Sequence, residues 1–260
     1  MSTKNSAVIV NDNGAIQIIN AAGAVTAPGP DHTAQAVTVC QDGTIWIVST
    51  ETSTSGGNLI MCSTDDGKTF QTPGGNEYGA VKIAGLLDGT CWYLDGDHAL
   101  HLVTQAGVST PIEYEGKIMD IKTDIHQVGW IISTNFNPVL EGNTIMNRDT
   151  NYPTFNPIKG DPVGVKISPF QGSTCLAITP SGAIHSIVYD GTIKEVQAAV
   201  ATDIPVDISA SQEGGAIWIL TGVRENSGGL PVSVWVYEDG KAPVWTVVPN
   251  ILAISIAGAG

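Results

Sequence analysis

Histidines are the side chains of this sequence whose type first suggests metal chemistry. His98, His101, His126 and His185 could be ligands, but His101 and His185 occupy equivalent positions of an internal repeat whose third copy has Gln17. A position that alternates between histidine and glutamine favours a hydrogen-bonding role on a strand. We therefore predict no metal site and no cofactor.

Paired carboxylates could serve as the acid and base of a glycosidase. The candidates are Asp95, Asp97, Glu113, Glu115, Asp120 and Asp207. Most of them fall at turns or strand ends, where aspartate has an ordinary conformational role. Asp120 and Asp207 fall on predicted innermost strands, with Thr38 as their counterpart, and could either hold a cation or water in a central channel or form its solvated wall.

The sequence shows no arrangement of residues for nucleophilic catalysis, and it lacks a G-x-S-x-G elbow. We accordingly assign no catalytic residue. Cys40, Cys62, Cys91 and Cys175 have neither zinc-binding nor redox spacing. Cys91 and Cys175 are equivalent repeat positions whose third copy is Ala7, which indicates a small apolar filler. We predict four free thiols, as is typical of a reducing compartment.

Composition and charge exclude several functions. The chain of 260 residues has a formal net charge of −14 and only 14% charged residues. Phosphate backbones attract the opposite charge, so nucleic acid is not an expected partner. No apolar run approaches the ~20 residues that span a bilayer, so membrane insertion is not expected. The start MSTKNSAVIVNDNG does not fit a secretory signal. We expect a cytoplasmic protein, and secretion by another route stays open.

Two kinds of repeat unit alternate along the chain. The longer unit has a tryptophan on its first strand, and its copies begin at Thr44, Val128 and Ala216 with Trp46, Trp130 and Trp218. The shorter unit is a tight hairpin, and its copies begin at Ala7, Cys91 and Cys175. The recurring tryptophans are predicted to pack in the core. Trp92 and Trp235 break the pattern and could either pack or stack on a sugar.

Units of about 40 residues with four short strands are typical of propeller blades. The predicted fold is all-β, a six-bladed propeller of three two-blade repeats in one domain, 1–260. The blades are 34–80, 81–117, 118–161, 162–203, 204–250, and 251–260 joined to 1–33. Pairing of Ala7 to Asn20 with Ile251 to Ile256 should close the ring and remove exposed edges. The helix-like run from Ile193 falls where the repeat requires an outer strand.

Two patterns resemble those of known propeller families. VDISASQEGGAIWIL and VTVCQDGTIWIVS resemble tectonin-type repeats, and the stretch from Ser63 to Phe70, STDDGKTF, resembles an Asp-box. The resemblance implies a propeller lectin in which the Asp-box has a structural role. Sialidases also have Asp-boxes, but they clamp the substrate carboxylate with three arginines, and this chain has only Arg148 and Arg224. Sialidase chemistry is therefore not expected.

Long polar loops follow the three recurring tryptophans and should emerge together on one face of the ring. Such loops on a rigid scaffold commonly carry function. The candidate sugar-binding residues are Glu51, Asn58, Asn135, Asn143, Arg224, Glu225 and Asn226. Their recurrence is compatible with binding sites and with tolerated surface insertions.

Three functions stay open, and surface symmetry discriminates them. The first is a carbohydrate-binding lectin with up to three weak sites that gain by avidity on glycans. The second is an enzyme, a hydrolase or lyase, with one asymmetric pocket at the central channel mouth. The third is a protein-binding scaffold with an exposed apolar patch.

Overall fold

The computed structural model describes residues 6–20, 22, 24–26, 32–124, 128–148, 154–171, 174–198, 204–211, 215–222, 229–238 and 241–258. Within these residues the chain is built of β-strands, and its one helical turn is the 3-10 segment Pro73–Gly75. The described part of the chain holds no helix long and apolar enough to cross a membrane.

Short antiparallel strands form five sheets in which most neighbours in the sheet are also neighbours in sequence. The N-terminal strands are β1 (Ser6–Asn11), β2 (Ile16–Asn20) and β3 (Val25–Thr26). Sheet 1 contains β4 (Ala34–Val39), β5 (Ile45–Thr52), β6 (Asn58–Ser63) and β7 (Gly79–Ala80). Sheet 2 contains β8 (Lys82–Gly85), β9 (Cys91–Leu94), β10 (Leu100–Val103) and β11 (Ser109–Ile112).

The second half of the chain continues the same pattern. Sheet 3 contains β12 (Ile118–Thr123), β13 (Gly129–Asn137), β14 (Gly142–Arg148) and β15 (Asn156–Pro157). Sheet 4 contains β16 (Lys166–Phe170), β17 (Thr174–Ile178), β18 (Ile184–Val188) and β19 (Ile193–Gln197). The seven-stranded sheet contains β20 (Pro205–Ala210), β21 (Ala216–Thr221), β22 (Leu230–Val236) and β23 (Thr246–Gly258), followed by β1, β2 and β3.

The two ends of the chain pair within the seven-stranded sheet. Strand β1 runs antiparallel to the C-terminal part of β23, with Ile9 opposite Ile256 and Ala7 opposite Gly258. The predicted closure by terminal strands is therefore confirmed. The N-terminal part of β23 also pairs with β22, with Val247 opposite Ser233. The predicted blade boundary between positions 250 and 251 therefore falls inside one long strand, β23, which pairs with both β22 and β1. Asn250, at this boundary, has a positive φ of 61°.

The innermost strands described are β4, β8, β12, β16, β20 and the last part of β23, and a side-chain oxygen joins each to the next along this series and the last to the first. A backbone N–H donates to an oxygen at five junctions: Gly85 to Thr38 (2.9 Å), Ile167 to Asp120 (3.4 Å), Ala210 to Ser168 (2.8 Å), Gly258 to Ser209 (2.8 Å) and Val37 to Ser255 (3.4 Å). At the sixth, the Thr123 hydroxyl donates to the carbonyl of Gly85. These bonds satisfy groups at strand edges that would otherwise be left unpaired.

The core lies between the faces of adjacent sheets. Trp46, Trp130 and Trp218 are fully buried, as predicted. The run from Ile193 is strand β19, also as predicted. All four cysteines are buried and free, which agrees with their proposed packing role. The described architecture is that of an all-β propeller.

Candidate functional site

The antiparallel order of the strands gives the ring two distinct faces. Turns between the second and third strand of a sheet, such as the turn between β5 and β6, emerge on one face, here called the long-loop face. Turns between the first and second and between the third and fourth strands emerge on the other, here called the Asp65 face. The expected separation of the long loops from Asp65 follows from this topology.

The turn from Ser63 to Phe70 is closed by its own side chains. The Ser63 hydroxyl donates to Asp65 at 2.7 Å, and the backbone N–H and hydroxyl of Thr69 donate to Asp65 at 2.9 and 2.7 Å. These hydrogen bonds stabilise the carboxylate and lower the pKa of Asp65 to about 2. Every donor that Asp65 receives is local, so the turn has a structural role.

The predicted sugar-binding residues of sheet 1 lie at the base of its long loop. Glu51 is exposed, with Oε1 at 4.0 Å from Nδ1 of His32. The Asn58 amide donates to the carbonyl of Ser49 at 2.8 Å. This bond links the two strands and uses one of the two amide hydrogens of Asn58.

The tip of the same loop is closed by polar side chains of its own. The hydroxyls of Ser53 and Ser55 lie 2.8 Å apart, and the Thr54 hydroxyl donates to Glu77 at 2.8 Å. The backbone N–H of Gly79 donates to Ser55 at 3.0 Å. These hydroxyls therefore order the loop, and each already has a protein partner, which for Thr54 is Glu77 outside the loop.

The corresponding loop of sheet 3 has a different character. Asn135 and Asn143 lie on β13 and β14, and Asn143 is opposite Phe136 in the pairing of these strands. Phe136 is 62% exposed, Val139 85% and Leu140 44%, so the tip is apolar. The sequence analysis missed this patch. Arg224, Glu225 and Asn226 lie outside the described residues.

A cleft of about 310 Å³ lies on the Asp65 face, between sheet 4 and the seven-stranded sheet. Its volume reaches the lower end of the range typical of small-molecule sites. One wall comes from the turn between β16 and β17 and from β18 and β19, and the other from β21, β22 and the segment after β22. Residues from these walls include Phe170, Thr174, Leu176, Ser186, Glu195, Ile217, Trp235, Tyr237 and Lys241.

Aromatic rings form the inner part of this cleft. The ring of Tyr237 is perpendicular to that of Phe170, with centroids 4.7 Å apart, and lies 5.3 Å from that of Trp235. Trp245 extends the cluster at 5.9 Å from Trp235, and its indole N–H donates to Gln197. Aromatic faces of this kind can stack on the apolar face of a sugar ring.

Polar side chains surround the aromatic rings at the opening. Thr174 and Ser186 are half-buried, whereas Lys194 and Glu195 are exposed. Oε2 of Glu195 lies 4.0 Å from Nε2 of His185, and the pairing of these two residues places the carboxylate on the face of the sheet opposite Ser186 and Lys194. The cleft thus combines an apolar wall with hydroxyl and ammonium groups, which could bind the hydroxyls of a small polar ligand.

The equivalent junction between sheets 2 and 3 is filled. The strand registers make Trp92 equivalent to Leu176 and Leu102 equivalent to Ser186. Trp92 packs edge-to-face on Phe155 at 5.9 Å, and the Arg148 guanidinium lies 5.8 Å from the Trp92 ring. The position equivalent to Ile217 here is Gly129, where a Cβ would lie 2.2 Å from the Trp92 ring.

The central channel carries four charged residues on consecutive innermost strands, here called the channel cluster. Lys82 Nζ lies 3.8 Å from Asp120 Oδ1, and Lys166 Nζ lies 3.7 Å from Asp207 Oδ1. Asp120 and Asp207 are buried. Their counterpart in sheet 1 is Ala36. In each of the three sheets this residue lies directly after a β-bulge and pairs with the residue two positions after the recurring tryptophan. The assignment of Thr38 to this position was wrong, since Thr38 pairs with Trp46 itself and is therefore equivalent to Lys122 and Ser209.

The electrostatics of the channel cluster centre on Lys82. Burial lowers the pKa of Lys82, the Asp120 carboxylate opposes this, and the Lys166 ammonium group lowers it again, to about 8. Below this cluster the channel narrows to a cavity of about 20 Å³ lined by residues such as Thr38, Lys122 and Ser168.

The histidines of the described chain serve separate local contacts. His101 Nε2 lies 3.0 Å from Asp95 Oδ2, and its ring stacks on Tyr93 with centroids 4.9 Å apart. His98 Nδ1 lies 2.9 Å from the carbonyl of Ile118. Partial burial opposes ionisation of Asp95, but hydrogen bonds from backbone N–H groups and His101 outweigh it and lower its pKa. Among the described residues, no three His, Cys, Asp or Glu side chains converge as metal ligands would; His126 lies outside them.

Neither a family model nor a curated protein matches this chain. Solved structures do. Virginiamycin B lyase from Staphylococcus aureus is 19% identical with a TM-score of 0.57, covering 95% of this chain and 81% of that chain. A chain of the nidogen/laminin complex is 11% identical with a TM-score of 0.70, covering 97% of both. A protein of unknown function from Bacteroides caccae is 12% identical with a TM-score of 0.58, covering 98% of both.

These likenesses establish the class of fold. The lyase and nidogen structures are β-propellers, and this chain is a β-propeller too. At identities below 20% the similarity carries the fold alone, because propellers with one architecture serve unrelated functions.

Proposed function

We propose that this propeller binds a carbohydrate in the cleft between sheet 4 and the seven-stranded sheet. The observation that carries the proposal is the aromatic wall of Trp235, Tyr237 and Phe170 facing Ser186 and Lys194 in a space of about 310 Å³. A sugar ring presents an apolar face to such a wall and hydroxyls to its polar rim. No cofactor is needed for this function.

The proposed site differs from the one predicted from the sequence in place and number. It lies on the Asp65 face, whereas Glu51, Asn58, Asn135 and Asn143 lie on the long-loop face. In the junction between sheets 2 and 3, Trp92 occupies the corresponding space and packs on Phe155. The three-site hypothesis for the long loops stays a separate prediction.

Six blades are the count that we propose for the ring. The seven-stranded sheet divides into a blade of β20, β21, β22 and the first part of β23, and a blade of the last part of β23 with β1, β2 and β3. The six innermost strands that are hydrogen-bonded in sequence around the channel support this division.

A substitution that fills the cleft tests the sugar site. Ser186→Leu places there the residue that the filled junction has at the equivalent position, Leu102, and Ser186→Ala leaves the cleft open as a matched control. A glycan array with the unaltered protein identifies a sugar, whose affinity is then measured by titration calorimetry. We expect Ser186→Leu to weaken binding at least tenfold and Ser186→Ala to change it less than about twofold.

Two outcomes would overturn the proposal. Unchanged binding by a folded Ser186→Leu variant would place the sugar elsewhere and favour the long loops around Glu51 and Asn135. A glycan array without any bound sugar would reject carbohydrate binding altogether.

A protein-binding scaffold is the second candidate, favoured by the exposed apolar tip of Phe136, Val139 and Leu140. Virginiamycin B lyase is an enzyme by name, but its likeness to this chain does not supply a catalytic group. A negative array would place the scaffold function first.

A further inference from the structure

Two lysines approach each other at the end of the central channel that opens on the long-loop face. Lys82 and Lys166 are the first residues of innermost strands β8 and β16, and the register makes them equivalent. The third equivalent is Ser255. Two of three related positions thus place an amine in the same channel mouth.

Each lysine has a carboxylate within ion-pair distance, and in each pair the lysine side chain is more exposed than the aspartate side chain. The Lys82 side chain is 36% exposed and that of Lys166 21%, against 6% for Asp120 and 12% for Asp207. The lysine side chains are therefore the accessible members of the cluster. An amine beside another cation is a recognised way to obtain a nucleophilic lysine near neutral pH.

We propose that Lys82 is a reactive amine that condenses with small aldehydes or ketones at this mouth of the channel to form an imine. The neutral Nζ attacks the carbonyl carbon, forming the C–N bond, and the carbonyl oxygen takes a proton from the Lys166 ammonium group. Nζ then gives up its two protons, one to restore the Lys166 ammonium group and one that passes through Asp120 to the hydroxyl. The hydroxyl leaves as water while the C=N bond of the imine forms. Each step is a proton transfer or a substitution at carbon, so no oxidant or reductant takes part.

The surroundings of Lys82 fit this chemistry. Its pKa of about 8 leaves about half of the amine neutral at pH 8. The charged groups that face it are Asp120, Lys166 and Asp207. Of the strands packed against β8, β12 adds Lys122 and β5 carries the exposed Glu51, whereas β4 and β9 carry no charged residue.

The rim of the mouth indicates the class of carbonyl compound. The residues preceding Lys82, Asp120 and Lys166 are Val81, Met119 and Val165, which are 39%, 45% and 50% exposed. The narrowing of the channel below the cluster excludes a long substituent. An apolar compound that stays at the mouth, such as an aromatic aldehyde, fits best.

Reductive trapping tests the proposal on the full chain. The protein is treated with 4-nitrobenzaldehyde and sodium cyanoborohydride at several pH values, and labelling of each lysine is followed by peptide mass spectrometry. We expect Lys82 to label at least tenfold faster than exposed Lys68 at pH 7.5, with a rate profile whose midpoint lies near pH 8. Lys166→Met should move that midpoint upwards and slow labelling at pH 7.5, and Lys68→Met is the matched control.

The pH profile of Lys82 labelling tests the proposal even if Lys166→Met fails to fold, because this measurement needs only the unaltered protein. A midpoint for Lys82 near pH 10, or labelling no faster than that of Lys68, would overturn the proposal. These results are independent of glycan binding, because the cleft and the channel mouth lie on opposite faces.

Discussion

The junction between sheets 2 and 3 and the junction between sheet 4 and the seven-stranded sheet are built from equivalent positions, yet one is filled and the other is open. In the filled junction Trp92 and Leu102 occupy the space between the sheets, and Gly129 makes room for the indole. In the open junction Leu176 and Ser186 take these positions, and the larger side chains are Ile217 and Trp235 on the facing sheet. A binding cleft can therefore arise in a repeat protein when side-chain volume moves from one strand to another in one copy, without a change in the backbone plan.

The largest effect on the free energy of unfolding is expected when one aromatic ring is removed from each junction. Trp92→Ala should destabilise the protein by about 3–5 kcal/mol, because it leaves a cavity in packed core. Tyr237→Ala should cost clearly less, since its ring borders space that is already open. Urea unfolding measures both free energies, and equal losses would contradict the contrast.

Gly129→Ala probes the fit of the filled junction from the other side. The added Cβ would lie 2.2 Å from the Trp92 ring, so the indole or the strand must move. We expect a loss of about 1–3 kcal/mol, as is usual for overpacking. The double variant with Trp92→Leu should recover stability, because leucine accompanies the bulkier Ile217 at the open junction. Failure of this rescue in a thermal melt would show that the two positions are not coupled.

Cys91 and Cys175 test whether the difference is confined to the junctions, since they are equivalent positions in sheets 2 and 4. Burial raises the pKa of both thiols well above the ordinary 9.0. The unfolded thiols ionise first, so the stabilisation is complete below pH 9 and is lost as the pH rises above it. Replacing either cysteine by alanine, the residue at Ala7, should reduce this loss by about 1.4 kcal/mol per pH unit. Unequal effects in urea unfolding at pH 9 to 10.5 would show that the sheets differ beyond their junctions.

Lys194→Met gives the smallest expected effect and concerns the open junction alone. The proposed sugar would lose one charge-assisted hydrogen bond, which corresponds to a decrease in affinity of about 1.5–3 kcal/mol at most and less for an exposed group. Titration calorimetry with the sugar found on the array measures this change. Thr110→Ala, on the outer strand of sheet 2, is the matched control and should leave affinity unchanged.

Much of the scaffold was predictable from the sequence because it repeats. Recurring tryptophans at positions 46, 130 and 218 mark equivalent core sites, and the incomplete units at the two ends imply the closure seen between Ile9 and Ile256. The bulges of the innermost strands were not predictable from spacing. The counterpart of Asp120 was assigned to Thr38, whereas the strand registers pair Asp120 and Ala36 with equivalent positions of the second strand.

The cleft was not predicted, because it depends on which side chains face each other across two sheets. Trp92 and Trp235 break the repeat pattern and were the available signal, but sequence alone does not tell that one fills a junction and the other lines a cleft. Loop composition was a poor guide for a similar reason, since the polar side chains around Ser53 and Ser55 bind one another.

Strand β23 anchors the closure of the ring on two sides. Its first part is hydrogen-bonded to β22 and its last part to β1, so its amides belong to two ladders at once. Opening the seam at one side leaves the strand anchored at the other. We expect the amide protons of β1, β22 and β23 to exchange with deuterated solvent as one cooperative unit. Their exchange should be as slow as that of the central strands of a sheet.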